Sequence, residues 1–345
     1  MKVFDFEIPD SELSESISDI YKMPAVVMAS TFEIAATEAP ARLAKAVLTV
    51  QLGGSIKTLE VLVQECSPHT LAVVSVIEKL LPNSCPKIFG YRSLSDHAWL
   101  ILENISTWLD TAGISRMNES ALDGLFAIHS PFFGEQQLLL DSFKIFSVIT
   151  KGQLSKHISF MMSEIDRLVT ENHSAVINAL ADWSDVKTHI SEVIIKSLDF
   201  PTTLLHGSYT PNNIRSISYP NEVSLIIAYD WRYARIGWPQ LDLAILLDRL
   251  DMLAESKRTK GPSEALLERY WLCLRTSFDD NISVDFNQFL DVYKFSYICQ
   301  ALPLIRLWAT RLSVDPKRDP LRATAEISLK CNTILGKDAR VFIDK

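Results

Sequence analysis

Residues 204–247 read LLHGSYTPNNIRSISYPNEVSLIIAYDWRYARIGWPQLDLAILL, and this stretch decides the fold. Residues 204–209 carry His206, Gly207 and Ser208 into a loop, with Asn213 just beyond on the same loop. A second apolar run over 223–229 reads as a strand and brings Asp230 beside Asn213, so that an amide oxygen and a carboxylate converge on one point. Hard oxygen donors of that kind suit Mg²⁺, which keeps several waters and takes only one or two protein groups. Gly237, Pro239 and the run Asp242-Leu243-Ala244 then open a helix.

Working outward, residues 46–52 (AVLTVQL) and 58–64 (TLEVLVQ) alternate as strands do, and Gly53, Gly54 and Ser55 between them read as a hairpin turn. Leu71, Val74, Ile77, Leu80 and Leu81 fall at helical spacing over 68–81, with Pro82 as the stop. KIFGYRS (87–93) and HAWLILENI (97–105) read as two more short strands. After Asn104 the pattern changes to long amphipathic helices, expected over 154–172, 173–199, 263–279 and 286–311. The strand-rich interruption at about 203–231 breaks that run. A mixed region over 1–103 and a helical region over 104–345, with the segment 204–247 inside it, is the expected division.

This arrangement resembles the aminoglycoside phosphotransferase and choline kinase superfamily. The resemblance rests on His206-Gly207, Asn213, Asp230-Trp231, Gly237, Pro239 and Asp242-Leu243-Ala244 in order. Residues 122–130 (LDGLFAIHS) add to it, being similar to a short helix ending in histidine. It implies an α+β, bilobal, protein-kinase-like fold: a small antiparallel-sheet N-lobe and a larger, mainly helical C-lobe. It also implies ATP and Mg²⁺ as cofactors, Asn213 and Asp230 as metal ligands, and His206, Asp242 and Trp231 as loop supports. For Asn213 and Asp230, capping their own loop is the competing role.

Against the pattern of that superfamily, four functional groups are missing. Position 208 is serine where the resemblance calls for the catalytic aspartate, and a neutral hydroxyl cannot act as a ready base. Gln64 (or Val63, if the alignment slips by one) stands where the third small-lobe strand should carry a phosphate-binding lysine. Val73, or at best Ala72, stands where the next helix should supply a glutamate to pair it. Residues 35–45 (AATEAPARLAK) contain no glycine where a phosphate loop needs close backbone approach. Lys57 in the hairpin, and Lys45 and Arg42 in the loop before it, are candidate replacements for the lost cation; a solvated surface role is the competing reading. Arg232 and Arg235 either neutralise an anionic ligand or form salt bridges.

The formal charge of −8 argues against nucleic-acid binding, which needs a basic field. It leaves room for a local phosphate site. No apolar run reaches the roughly 18 residues of a membrane span, and Asp5, Glu7 and Asp10 stand where a signal peptide would be apolar. The five scattered cysteines read as free thiols of a cytoplasmic protein. No HExxH, GxSxG or Walker-type motif is present, and the histidines other than His206 lack metal-ligand spacing. Tyr293, Phe295 and Tyr297 read as core residues of a helix rather than a cation cage. The expectation is a pseudokinase that binds a small molecule, peptide or protein. The alternative is a weak or rewired ATP–Mg²⁺ phosphotransferase acting on a small-molecule or peptide hydroxyl.

Overall fold

A computed structural model of the chain describes all residues except 1, 4–5, 37–42, 95, 105–113, 172–173, 197–199, 218–224, 257–263, 277–283, 316, 318 and 337–345. In chain order the elements are β1 (Lys2–Val3), β2 (Phe6–Glu7), α1 (Asp10–Tyr21), β3 (Ala25–Ala36), β4 (Leu43–Leu52), β5 (Ser55–Cys66), α2 (Pro68–Leu80), β6 (Ile88–Ser93), β7 (Ala98–Glu103) and α3 (Ile114–His129). There follow α4 (Gln136–Ser142), α5 (Lys151–Thr170), α6 (Ser174–Ala179), α7 (Trp183–Lys196), β8 (Thr203–Leu205), β9 (Ile214–Ile217), β10 (Leu225–Ala228) and β11 (Arg235–Gly237). Helices α8 (Gln240–Ser256), α9 (Glu264–Arg275), α10 (Phe286–Val314) and α11 (Pro320–Ile334) complete the chain. It divides into two compact units: residues 1–124, 143–146 and 211–234, and residues 125–142, 147–210 and 235–345.

The first unit is built on an antiparallel five-stranded sheet in the order β3-β4-β5-β7-β6. Leu52 pairs with Ser55 across Gly53 and Gly54, whose φ values of 55° and 87° explain the double glycine, since this two-residue turn needs positive φ twice. Along β4, Ala44, Ala46, Leu48, Val50 and Leu52 all point into the core with Val61, Val63, Trp99 and Ile101. Leu13 and Ile17 of α1 close that core. The Ser14 and Ser18 hydroxyls accept the N–H groups of Val27 and Ala25 at 2.9 and 2.8 Å. Helix α1 thereby satisfies part of an edge that would otherwise invite another strand. Helix α2 starts where Ser67 accepts the Thr70 N–H and Pro68 fills the first turn.

Strand β3 was not legible in the sequence, because Ala29, Ser30 and Thr31 blur the alternation. Its pairing with β4 corrects the expected loop over 35–45: Ala36 ends one strand and Leu43 begins the next, with Lys45 opposite Glu33 inside the ladder. Lys45 is therefore an exposed strand residue. Residues 37–42, Arg42 among them, lie outside the described residues.

The second unit is helical and organised around α10, whose 29 residues span about 44 Å at the α-helical rise. Asp285 and Gln288 form a capping box at its start, as Thr150 and Gln153 do for α5. Phe289, Tyr293, Phe295 and Tyr297 are buried in it, and Phe289 packs on Trp271 with ring centroids 5.4 Å apart. The single helix expected over 173–199 is two, α6 and α7, separated at 180–182, so that Trp183 turns in to give its indole N–H to Asp166 at 2.8 Å. Helix α11 is tied to α8 by a buried ion pair between Lys330 and Asp248. All five cysteines are free, and among the described residues no helix is long and apolar enough to cross a membrane.

Candidate active site

The loop carrying His206 and Ser208 belongs to the second unit. Strand β8 pairs with β11, Thr203 opposite Gly237 and Leu205 opposite Arg235, so the loop at 206–208 and the entry to α8 leave one two-stranded ribbon. A Cβ at Gly237 would lie 2.8 Å from the Leu205 side chain, so any larger residue there would force Leu205 to shift. Asp242, in the first turn of α8, accepts the backbone N–H of His206 at 2.7 Å and of Gly207 at 2.9 Å. His129 Nε2 lies 3.2 Å from the same carboxylate, and His129 Nδ1 is 2.5 Å from the Tyr270 hydroxyl. Thr203 donates its hydroxyl to the His129 carbonyl at 2.6 Å. Nothing in the sequence marks Tyr270 for this network, because α9 reaches it only through tertiary packing.

Burial works against the Asp242 charge and is the largest single influence. The hydrogen bond from His129, the charges of His129 and His206, and the His206 N–H outweigh it and hold the carboxyl below the ordinary carboxylate range. Burial, with the Asp242 charge behind it, pushes the Tyr270 hydroxyl well above the ordinary phenol range. Inside the loop, Gly207 takes φ 79°, and the Ser208 N–H is donated to His206 Nδ1 at 3.2 Å. His206 is fully buried, its ring edge-on to Tyr209 at 5.7 Å.

Asn213, Asp230, Trp231, Lys57 and Gln64 all belong to the first unit. Strand β9 pairs with β10, Ile214 opposite Ala228, and Tyr229 donates its N–H to the Asn213 carbonyl at 2.7 Å. This register sets Asn213 opposite Tyr229 with Asp230 next along the chain. Asp230 takes φ 64° and ψ 53°, a left-handed conformation uncommon for a residue with a side chain. Trp231 is buried, and its indole N–H goes to the Ala228 carbonyl at 2.8 Å. The Asp230 carboxylate accepts the Nε–H of Arg232 in a salt bridge.

Gln64 near the end of β5 lines a cleft of about 380 Å³ with Glu65, Cys66, Ser67, Thr70, Asp96, His97 and Arg232. Burial pushes the Cys66 thiol up to about 11 even though the Arg232 charge pulls it down. Lys57 is seven residues back along the same strand, roughly 23 Å away at the β rise per residue, and exposed. Lys57 and Gln64 therefore do not meet at one phosphate. Val73 is buried in α2. Among the described residues, no three of His, Cys, Asp and Glu gather to hold a metal ion.

Several solved structures share this fold. An ethanolamine kinase from Plasmodium vivax aligns over 90% of this chain and 83% of its own, at 14% identity and a TM-score of 0.52. A choline kinase from Cryptosporidium parvum Iowa II aligns over 89% and 90%, at 13% identity and 0.53. The GDP complex of an aminoglycoside 2'-phosphotransferase-IIIa aligns over 94% and 98%, at 10% identity and 0.50. No protein-family model and no curated protein matches the chain. At these identities the likeness establishes the fold. It is the kinase-like α+β fold of the choline and ethanolamine kinases and aminoglycoside phosphotransferases.

Proposed function

We propose that the chain is a pseudokinase, which holds a peptide, a small molecule or a partner protein in a kinase-like framework without transferring phosphate. The observation that carries this reading is Ser208. Its loop is fixed by Asp242 and by its own hydrogen bond to His206, yet it presents a neutral hydroxyl where the resemblance requires an anionic base. Loss of a positioned base costs on the order of 10²–10⁴ in rate. Gln64 and Val73 add the loss of the phosphate cation and of its partner.

The residues do not fit a resident Mg²⁺ as they stand. Asn213 and Asp230 offer hard oxygens, which suit that ion. However, the Asp230 carboxylate is already neutralised by Arg232. The five free thiols support a reducing, cytoplasmic setting, and the acidic charge favours a peptide, protein or small-molecule partner over nucleic acid.

The test is incubation of the full chain with labelled ATP and Mg²⁺ over a panel of hydroxyl acceptors. No transfer and no hydrolysis is the expected result; steady turnover that disappears in Asp230→Ala would sink the reading.

The second reading, a weak or rewired ATP–Mg²⁺ phosphotransferase acting on a small-molecule or peptide hydroxyl, is favoured by one observation. The β9–β10 register and the left-handed Asp230 keep Asn213 and Asp230 at adjoining positions. Thermal unfolding with ATP and Mg²⁺ addresses it, since a ligand at 100 times its Kd stabilises by roughly 2.7 kcal/mol. No shift with any nucleoside triphosphate counts against it.

A further inference from the structure

Asp230 is bonded from within its own turn. Its left-handed backbone starts the turn, the buried Trp231 pins it to the Ala228 carbonyl, and Arg232 folds back to bring its Nε–H to the Asp230 carboxylate. The Arg232 and Asp230 side chains are 33% and 24% exposed, so the pair is only partly shielded from water. We propose that Arg232 is a built-in cation occupying the place of a divalent metal at Asp230, which makes the Asn213–Asp230 site metal-independent. The inference rests on the kinase-like reading of Asn213 and Asp230 as the metal position.

Tethering decides the competition. Arg232 is two residues from its carboxylate, so its effective concentration is set by the turn and not by solution, in the millimolar range or above for a short link. Mg²⁺ gives up its waters reluctantly. A metal at this point would also displace a guanidinium that is 33% exposed, leaving a partly buried charged donor without its acceptor.

The place of Arg232 also accounts for Gln64. Both residues line the same cleft of about 380 Å³. The positive charge that the resemblance expects on β5 is absent there and present on the turn after β10. One fixed guanidinium thus stands in for both the strand lysine and the metal. Arginine suits this role because it stays charged at all relevant pH values and offers a rigid planar fork.

Mn²⁺ binding to the whole chain tests this, read by electron paramagnetic resonance as loss of the free-ion signal. The wild type is expected to take up Mn²⁺ weakly. Arg232→Gln should bind one ion at least about tenfold tighter, the factor set by 1.4 kcal/mol of released pairing, and adding Asp230→Asn should abolish the gain. Arg232→Lys, which keeps the charge but moves the donor along the chain, should fall between them. Tight, one-to-one uptake by the wild type that is lost in Asp230→Asn overturns the proposal. That comparison needs no Arg232 variant to fold, because wild-type uptake with the Asp230→Asn control is enough to expose a resident metal. Absence of any gain in both Arg232 variants overturns it equally. Phosphate transfer by a wild type that binds Mn²⁺ weakly would instead sink the pseudokinase reading and leave this inference standing.

Discussion

Asp242 holds His206 by its backbone: the carboxylate accepts the His206 N–H at 2.7 Å and the next N–H, from Gly207, at 2.9 Å, and His129 Nε2 lies 3.2 Å from the oxygen that takes the His206 N–H. The loop that presents Ser208 is thus fixed by a buried anion of α8 whose partners come from the loop after β8 and from the end of α3, with Tyr270 of α9 completing the chain through His129.

Replacing Asp242 by alanine should cost about 3–5 kcal/mol, the usual consequence of removing one partner from a buried charged network. Urea unfolding of the wild type and the variant reads this directly. A loss below about 1 kcal/mol would show that the loop is held by something else.

The same carboxylate predicts a pH window. Its folded value lies below the unfolded value of about 3.9. Its contribution is therefore complete above about pH 4 and lost as pH falls through the folded value. The stability gap between wild type and Asp242→Asn should stay constant from neutral pH to about 4 and close only below that. A gap that closes between pH 7 and 5 would assign the linkage to another group.

Lys330 and Asp248 form an ion pair with 4% and 9% of their side chains exposed. Lys330→Ala leaves the aspartate buried and unpaired, and should cost about 3–5 kcal/mol. The double change Lys330→Met with Asp248→Leu should recover most of it, because burying two charges carries its own desolvation cost. A double-mutant cycle in urea measures both.

Ser208→Asp should not restore phosphate transfer. The new carboxylate would supply the base, but Gln64 remains neutral and Asp230 remains bonded to Arg232. Transfer from labelled ATP, assayed with Mg²⁺, is the measurement. Turnover in this single variant would mean that the rest of the site is still assembled.

The Cys66 thiol, pushed up to about 11, should resist alkylation. At pH 8 its thiolate fraction is on the order of a hundredfold below that of an ordinary cysteine near 8.5. Timed iodoacetamide labelling with peptide mapping reads the rate. Labelling as fast as a model thiol would place Cys66 in a more polar setting.

Much of the architecture was legible because the signals are local. Gly53-Gly54 fixed the hairpin through two positive φ values, and the apolar spacing of α2, α5 and α10 marked their buried faces. Strand β3 was not, since its middle is small and polar and only the ladder to β4 holds it extended. The break between α6 and α7 was hidden for a similar reason, because the apolar spacing continues across residues 180–182 while the chain turns.

What the sequence determined by itself is the kinase-like order of elements, together with the residue types Ser208, Gln64 and Val73 at places where the resemblance implies an aspartate, a lysine and a glutamate. What only the tertiary structure decided is which charges satisfy one another. Tyr270 meets His129, Lys330 meets Asp248 and Arg232 turns back on Asp230. Local propensity follows from neighbours along the chain, whereas the partner of a buried charge depends on distance and desolvation, which exist only once the chain has packed.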